Sequence, residues 1–486
     1  MSIQKIGSLI LVFLILSGAL CSCSGNDSGK IAENASAAQS DPVGSVQEAE
    51  EGDDDTTNYF KNLEAKDYDG WTLNIANDEL HPDWFIGFTA EELTGDEFND
   101  SLYNRAIAIQ DKFNVIVSEH HDGSVNGIKN CVMAGSGDVG FGYVIAASCM
   151  EMITGKFVKA VSEMPCIDMT RPYWDQGAKK TLTFFGKMYY GYCDISWDHY
   201  ESMAIMYYNG FLLDDNGVEE SPYELYKEGR WTLDAMYQMV SAIAKDLDGD
   251  GKMSVKKDLY GWAGRDFSFL PSLYSSGLRI IRYDEDAETF VMDITQEKVM
   301  AVGDMMNKII NDPSISSVGG NDDNRNLFKA GRSLFYSRLL GDFRHLRDKE
   351  DDYGIICFPP LEENTEVMVY VQNPYAILVP SDCPDDERIG TLIEALAAYT
   401  YDNILDIYIN RSVIGKGLRD EQSAELLRAF IKVRAFDLCY AFNVKNPMEA
   451  YVIGVTTGNY ASAQKRTEKI YQKNIKKAVE ALRGKG

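Results

Sequence analysis

The sequence predicts an α/β protein of two lobes with a helical close, and three observations carry that reading. A strand, a helix and a second strand open the folded part, strand and helix patterns then keep alternating, and from Asp385 onward the pattern is helical almost throughout.

The opening strand lies in "GWTLNIAND" (Gly70–Asp78), where Trp71, Leu73 and Ile75 share one face of a period-two pattern. In "DSLYNRAIAIQDKFNVIVSE" the residues Leu102, Ala106, Ile109 and Phe113 recur at helical spacing before "NVIV" returns to strand. Residues 189–208 read as two extended stretches. "RWTLDAMYQMVSAIAKD" reads as a helix with Thr232 as N-cap, Asp234 in its first turn and Trp231 as a staple ahead of it. "DLYGWAG" is strand-like, and "SFLPSLYSSG" reads as a helix with Pro271 in its first turn. An amphipathic helix covers 296–312, and "RNLFKAGRSLFYSRL" gives helix, a stop at Gly331, then strand. "YGIICFPPLEE" and "NPYAILVP" are strand-like, and three helical stretches follow from Asp385 to the end.

The N-terminus points to export. Lys5 precedes the apolar run Ile6–Leu20, which has the length of a secretory core and is short for a membrane span. Cys23, with Ser22 before it and Leu20 at −3, resembles the lipidated cysteine of a bacterial lipobox. The expected division is therefore a lipoprotein signal peptide at 1–22 and a flexible acidic tether at 23–58. Residues 24–57 hold no aromatic residue, so they cannot bury enough apolar area to offset their ordering entropy.

Net charge is −28, and 41–57 contributes seven acids and no base. So acidic a chain argues against nucleic acid, whose phosphates demand basic patches, and against anionic membrane beyond the lipid itself. The seven cysteines outside the signal region form no CxxC pair, which argues against a zinc or redox motif.

The stretch "AKDLDGDGKMSVKKDLYGWAG" carries Asp246, Asp248 and Asp250 at positions 1, 3 and 5 of a calcium-type loop, with Gly251 following. The Lys252 carbonyl and Ser254 fill positions 7 and 9. Position 12 is Lys257, so Asp258 would have to replace the usual Glu. A structural Ca2+ clasp between helix and strand is one reading, and a solvated Asx-rich turn is the other.

The collinear set "GDEFNDSLYNRAIAIQDKFNVIV", "DMTRPYWDQGAKKTL", "DLDGDGK", "LFKAGRSLFYSR", "YGIICFPPLEE" and "YAILVPSDCPDDERIGTLIEAL" resembles the extracellular solute-binding lipoproteins of bacterial ABC importers. Within them it is most similar to the carbohydrate-binding group that includes maltose-binding protein. The resemblance spans roughly 68–445 and implies a two-lobed periplasmic-binding-protein-like (type II) fold with hinge crossings. By similarity, lobe 1 is 59–192 plus 339–384 and lobe 2 is 193–338 plus 385–486.

A sugar offers apolar C–H faces and a ring of hydroxyls, so its cleft needs aromatic platforms beside bidentate polar groups. On this reasoning the candidates are Trp197, Asp198 and Glu201 at a hinge crossing, Trp84 in the loop after the first strand, and Arg338 at a strand end. "GRDFSF" matches the family loop whose aromatic stacks on sugar, which adds Phe267, with Arg265 and Asp266 beside it. Trp174 is expected beneath the hinge, with Asp175 exposed.

The resemblance implies a protein without catalysis that captures a carbohydrate, expected to be an oligosaccharide, and delivers it to an ABC importer permease. It would act as a monomer lipid-anchored to the outer face of the cytoplasmic membrane. The chain holds no GxSxG, HExxH or phosphate loop, and only five histidines. A surface glycoside hydrolase with two flanking carboxylates, or the same fold with a peptide, polyamine or metal as cargo, remains open.

Overall fold

The computed structural model describes residues 57–79, 87, 89–265, 268–292, 297–383, 385–418, 420–442, 452–454 and 457–484. The expected signal peptide, Cys23 and all but the last two tether residues lie outside the described residues.

Strand Trp71–Ala76 buries Leu73 and Ile75 as its alternation requires, and pairs in parallel with Val115–His120 and with Phe141–Ile145. Between the first two runs helix Glu97–Phe113. Asp96 caps its start by accepting the N–H groups of Phe98 and Asn99, and Asn114 ends it in the left-handed region. Tyr375–Pro380 joins the other side of the sheet antiparallel to Phe141–Ile145, placing Tyr375 opposite Ile145. The short strand Val158–Lys159 completes a five-stranded sheet.

A second five-stranded sheet runs in the order Ser316–Val318, Tyr260–Gly264, Ser333–Leu339, Ala204–Tyr208, Gly354–Cys357. Its first three strands are parallel neighbours, and the last two pairings are antiparallel. Helix Leu233–Ile243 starts at the expected cap, the Thr232 hydroxyl accepting the Ala235 N–H, and Trp231 is buried with its Nε1 donating to Cys357 O. Helix Asn321–Lys329 gives way to strand at Gly331, whose φ of +68° suits glycine.

Among the described residues the chain passes between the sheets near 189–203, 358–374 and 404–420, and once more after helix Glu421–Lys432, since helix Tyr460–Leu482 packs on helix Ala146–Thr154 beside the first sheet. The first two touch: Met203 and Val371 form an antiparallel bridge, and the Gln372 N–H donates to Ser202 O at 2.8 Å. Val369–Tyr370 pairs in parallel with Arg434–Ala435, so the chain after helix Glu421–Lys432 also lies alongside. Buried Arg105 holds the first crossing from one side, donating to Ile195 O and to the Thr400 hydroxyl.

Three points differ from expectation. Strand Gly354–Cys357 belongs to the second sheet, although 339–384 was expected in lobe 1, because it needs Ala204–Tyr208 as a partner. Helix Asp386–Asn403, expected in lobe 2, packs on helices Tyr59–Asn62 and Glu97–Phe113 beside the first sheet. Residues 198–201, read as extended, form a turn of helix before the 204–208 strand.

Candidate functional site

Two cavities that share Asn321, Arg338, Leu339 and Gln372 open between the sheets, of about 180 Å3 and about 260 Å3. The larger is lined from the first sheet by Ile145 and Tyr375, and from the crossings and second sheet by Asp198, Glu201, Ser202 and Asp342. The smaller is lined by Arg265, Ser268, Pro271, Ser337, Phe358 and Tyr440 as well. Strand ends and crossings meet here, which is where a two-lobed α/β protein gathers polar groups.

Four expected site residues line these cavities: Asp198, Glu201, Arg265 and Arg338. Asp198 Oδ2 accepts the Tyr375 N–H at 2.8 Å, and burial pushes its carboxyl up to about 7. Glu201 Oε1 accepts the Tyr408 hydroxyl at 2.5 Å and also the Arg344 guanidinium. Both carboxylates therefore fasten the hinge as well as facing the cavity. Arg338 reaches Asp342 Oδ1 at 3.5 Å, but Asp342 is chiefly held by Arg325, at 2.7 and 3.0 Å, and by the Tyr336 hydroxyl.

Trp197 does not face the cavities. Its ring packs edge-on against Phe98, 4.6 Å between centroids, and tilted against Tyr408, leaving it 4% exposed. An indole at a crossing between two sheets buries more area in the core than on a wet cleft wall. Trp84, Asp266 and Phe267 lie outside the described residues. Trp174 packs under the hinge as expected, its Nε1 donating to Glu394, whose carboxyl burial raises. Asp175 is half-buried with its side chain covered, rather than exposed, because it caps helix Gln176–Leu182 and pairs with Arg434 at 2.6 Å.

The rest of the first crossing is structural. Tyr200 donates to Asp194, Arg434 stacks over the Tyr200 ring at 4.1 Å, and His199 is buried 3.6 Å from Asp194. Burial pushes Asp194 up to about 7 and holds His199 well below the usual imidazole range.

Gln372, Asn321, Tyr440 and Phe358 escaped the sequence reading. A signal for Gln372 was available: "VQNP" is a polar break between the apolar runs "VMVY" and "YAILVP". Nothing local marked Asn321, which opens a helix on the other sheet.

In the acidic loop, oxygens of Asp246, Asp248 and Asp250 come within 4.8 Å of one another. Asp258 does not join them. Its two oxygens accept the N–H groups of Leu247 and Ser254, so it clamps the loop backbone instead of closing a metal shell. Lys257 Nζ bonds Asp248 Oδ2 at 2.6 Å. The loop thus brings three exposed carboxylates together, with Asp248 paired to Lys257 and Asp246 accepting the N–H groups of Gly249 and Gly251.

No protein-family model matches the sequence, and no curated protein matches it at a significant level. Solved structures do match over most of the chain. An extracellular solute-binding protein from Staphylococcus aureus, in complex with maltose, superposes with a TM-score of 0.56 at 12% identity, over 83% of this chain and 98% of its own. The GacH receptor of Streptomyces glaucescens, solved unliganded and with acarbose, gives 0.54 at 14%, over 84% and 99%. An ABC substrate-binding protein from Listeria monocytogenes, in complex with cycloalternan, gives 0.54 at 12%, over 83% and 99%.

The chain has the two-lobed solute-binding-protein fold. In that fold the segments passing between the sheets join the two lobes, and the paired cavities lie in the cleft between them. Asp198, Glu201 and Gln372 line the larger cavity beside the crossings.

Proposed function

We propose that the protein binds a carbohydrate in this interlobe cleft and presents it to the permease of an ABC importer, without altering it. The observation that carries the reading is the cleft lining. Arg338, Gln372, Asn321 and Asp198 offer donors and acceptors to hydroxyls, the half-buried Tyr440 offers ring surface, and the buried rings of Tyr375 and Phe358 line the walls. The fold supports it, since its superposed neighbours are described with maltose, acarbose and cycloalternan. In this reading the mature chain is a monomer tethered through Cys23 outside the cytoplasmic membrane, and the loop at Asp246, Asp248 and Asp250 binds Ca2+ as a brace.

The test is a thermal-shift and calorimetry screen against mono- and oligosaccharides, because a solute bound only by the folded state raises its melting temperature. A peptide, polyamine or metal that shifts melting while every saccharide fails would overturn the reading. New reducing ends from an incubated oligosaccharide would replace capture by hydrolysis.

A further inference from the structure

We propose that the captured saccharide carries an anionic substituent, a carboxylate or a sulfate, and that Arg338 receives it. The inference rests on the carbohydrate reading and narrows it to acidic glycans.

The chain bears −28, yet the described residues lining the smaller cavity include two arginines, Arg265 and Arg338, and no carboxylate. Arg338 is decisive because it lines both cavities. Strand Ser333–Leu339 carries it next to the second sheet's edge of the cleft, in register with Ile205. The acid nearest to it, Asp342, has a single charge shared with a second guanidinium, and the geometry favours the other. Asp342 accepts from Arg325 Nη2 at 2.7 Å and Nε at 3.0 Å, and from Tyr336 at 2.9 Å. Among the described residues Arg338 keeps only the 3.5 Å approach, and its buried Nε makes no hydrogen bond.

A guanidinium held this way is under-satisfied where a ligand would sit. A neutral sugar hydroxyl can accept one hydrogen bond from it but cannot balance its charge. A carboxylate or sulfate does both, with two oxygens matched to the planar fork. The remaining acids of the cleft do not compete, since Asp198 holds the Tyr375 N–H and Glu201 holds Arg344 and Tyr408. The Asn321 Oδ1, buried without a partner, and Gln372 are placed to take hydroxyls on either side. The acidic outer surface does not veto an anion. Charges farther off than the Debye length of about 8 Å are screened at physiological salt, whereas a contact inside the cleft is not.

The experiment is calorimetry on the mature chain with matched pairs of glycans: galactotriose against trigalacturonate, a plain against a glucuronic-acid-bearing xylo-oligosaccharide, and a desulfated against a sulfated carrageenan disaccharide. The first two pairs report on carboxylate and the third on sulfate. In the pair that binds, the charged member should bind about tenfold tighter or more, and most of the advantage should persist at raised salt, since a contact inside the cleft is screened much less than one on the surface. R338Q should remove the advantage and R338K should keep part of it, each variant being checked for unchanged melting without ligand.

A neutral member that binds as tightly as its charged partner would overturn the inference, as would R338Q weakening both alike. Either result leaves carbohydrate capture standing. Binding of a peptide or polyamine with no glycan, or no binder in any class, would take both readings down together. The wild-type preference within a pair reads the anionic substituent even if R338Q fails to fold, and R338K then tests the arginine.

Discussion

Asp198 Oδ2 accepts the main-chain N–H of Tyr375 at 2.8 Å, so one carboxylate fastens the first hinge crossing to the strand that leads back into the first sheet. That carboxyl is buried, and burial moves it up to about 7 from an ordinary 3.8. Below about 4 both folded and unfolded states hold the proton. Between there and about 7 the folded state keeps a proton that the unfolded chain releases, so this contribution to stability falls as pH rises and is level above. In D198N the same N–H can be accepted with no charge to bury. Urea melts from pH 5 to 8 should therefore show D198N gaining on wild type by up to about 1.4 kcal/mol per pH unit as far as pH 7. Parallel curves would mean that Asp198 does not titrate in this window.

Trp197 belongs to the core between Phe98 and Tyr408. W197A should cost about 3–5 kcal/mol in a urea titration. W197F, which keeps an apolar ring, should leave ligand affinity by calorimetry unchanged. A selective loss of affinity in W197F would return the indole to the binding surface.

Gly390 and Gly210 should respond in opposite ways to alanine. A Cβ on Gly390 would stand 1.9 Å from Pro165 O, inside the tightly packed helix Asp386–Asn403. G390A should lose about 3 kcal/mol or fail to fold, because the obstacle is backbone and cannot rotate away. A Cβ on Gly210 meets nothing within 4 Å at the start of helix Gly210–Asp215. G210A should be neutral or stabilising by about 0.5 kcal/mol, through a less flexible unfolded chain. Thermal melts of the two variants give the comparison.

The acidic loop separates a metal brace from a backbone clamp. Calcium should raise the melting temperature with a dissociation constant on the order of 10⁻⁴–10⁻³ M, chelator should reverse it, and D248A should abolish the rise. D258A should lower stability with or without calcium, since Asp258 holds the Leu247 and Ser254 amides. Identical melting of wild type in calcium and in chelator would leave only the clamp.

The succession of strands and helices was legible in the sequence, down to the Thr232 cap and the stop at Gly331, because periodicity and caps depend on residues a few positions apart. Of the residues named from the sequence, Arg338, Asp198 and Glu201, read at a strand end and a crossing, and Arg265, named from the resemblance of its loop, line the cavities. What only the tertiary structure decided was direction. Trp197 turned inward because Phe98 and Tyr408, far away in the chain, supplied a drier surface, and the Asp175 side chain was covered because Arg434 came to meet it. Gln372 and Asn321 became neighbours across one cavity although 51 positions of chain separate them. The division of the chain between the sheets was settled in the same way, by which distant strand offered Gly354–Cys357 its hydrogen bonds. A side chain's local pattern says that it will be on a helix or a strand, and the long-range packing says what it will face.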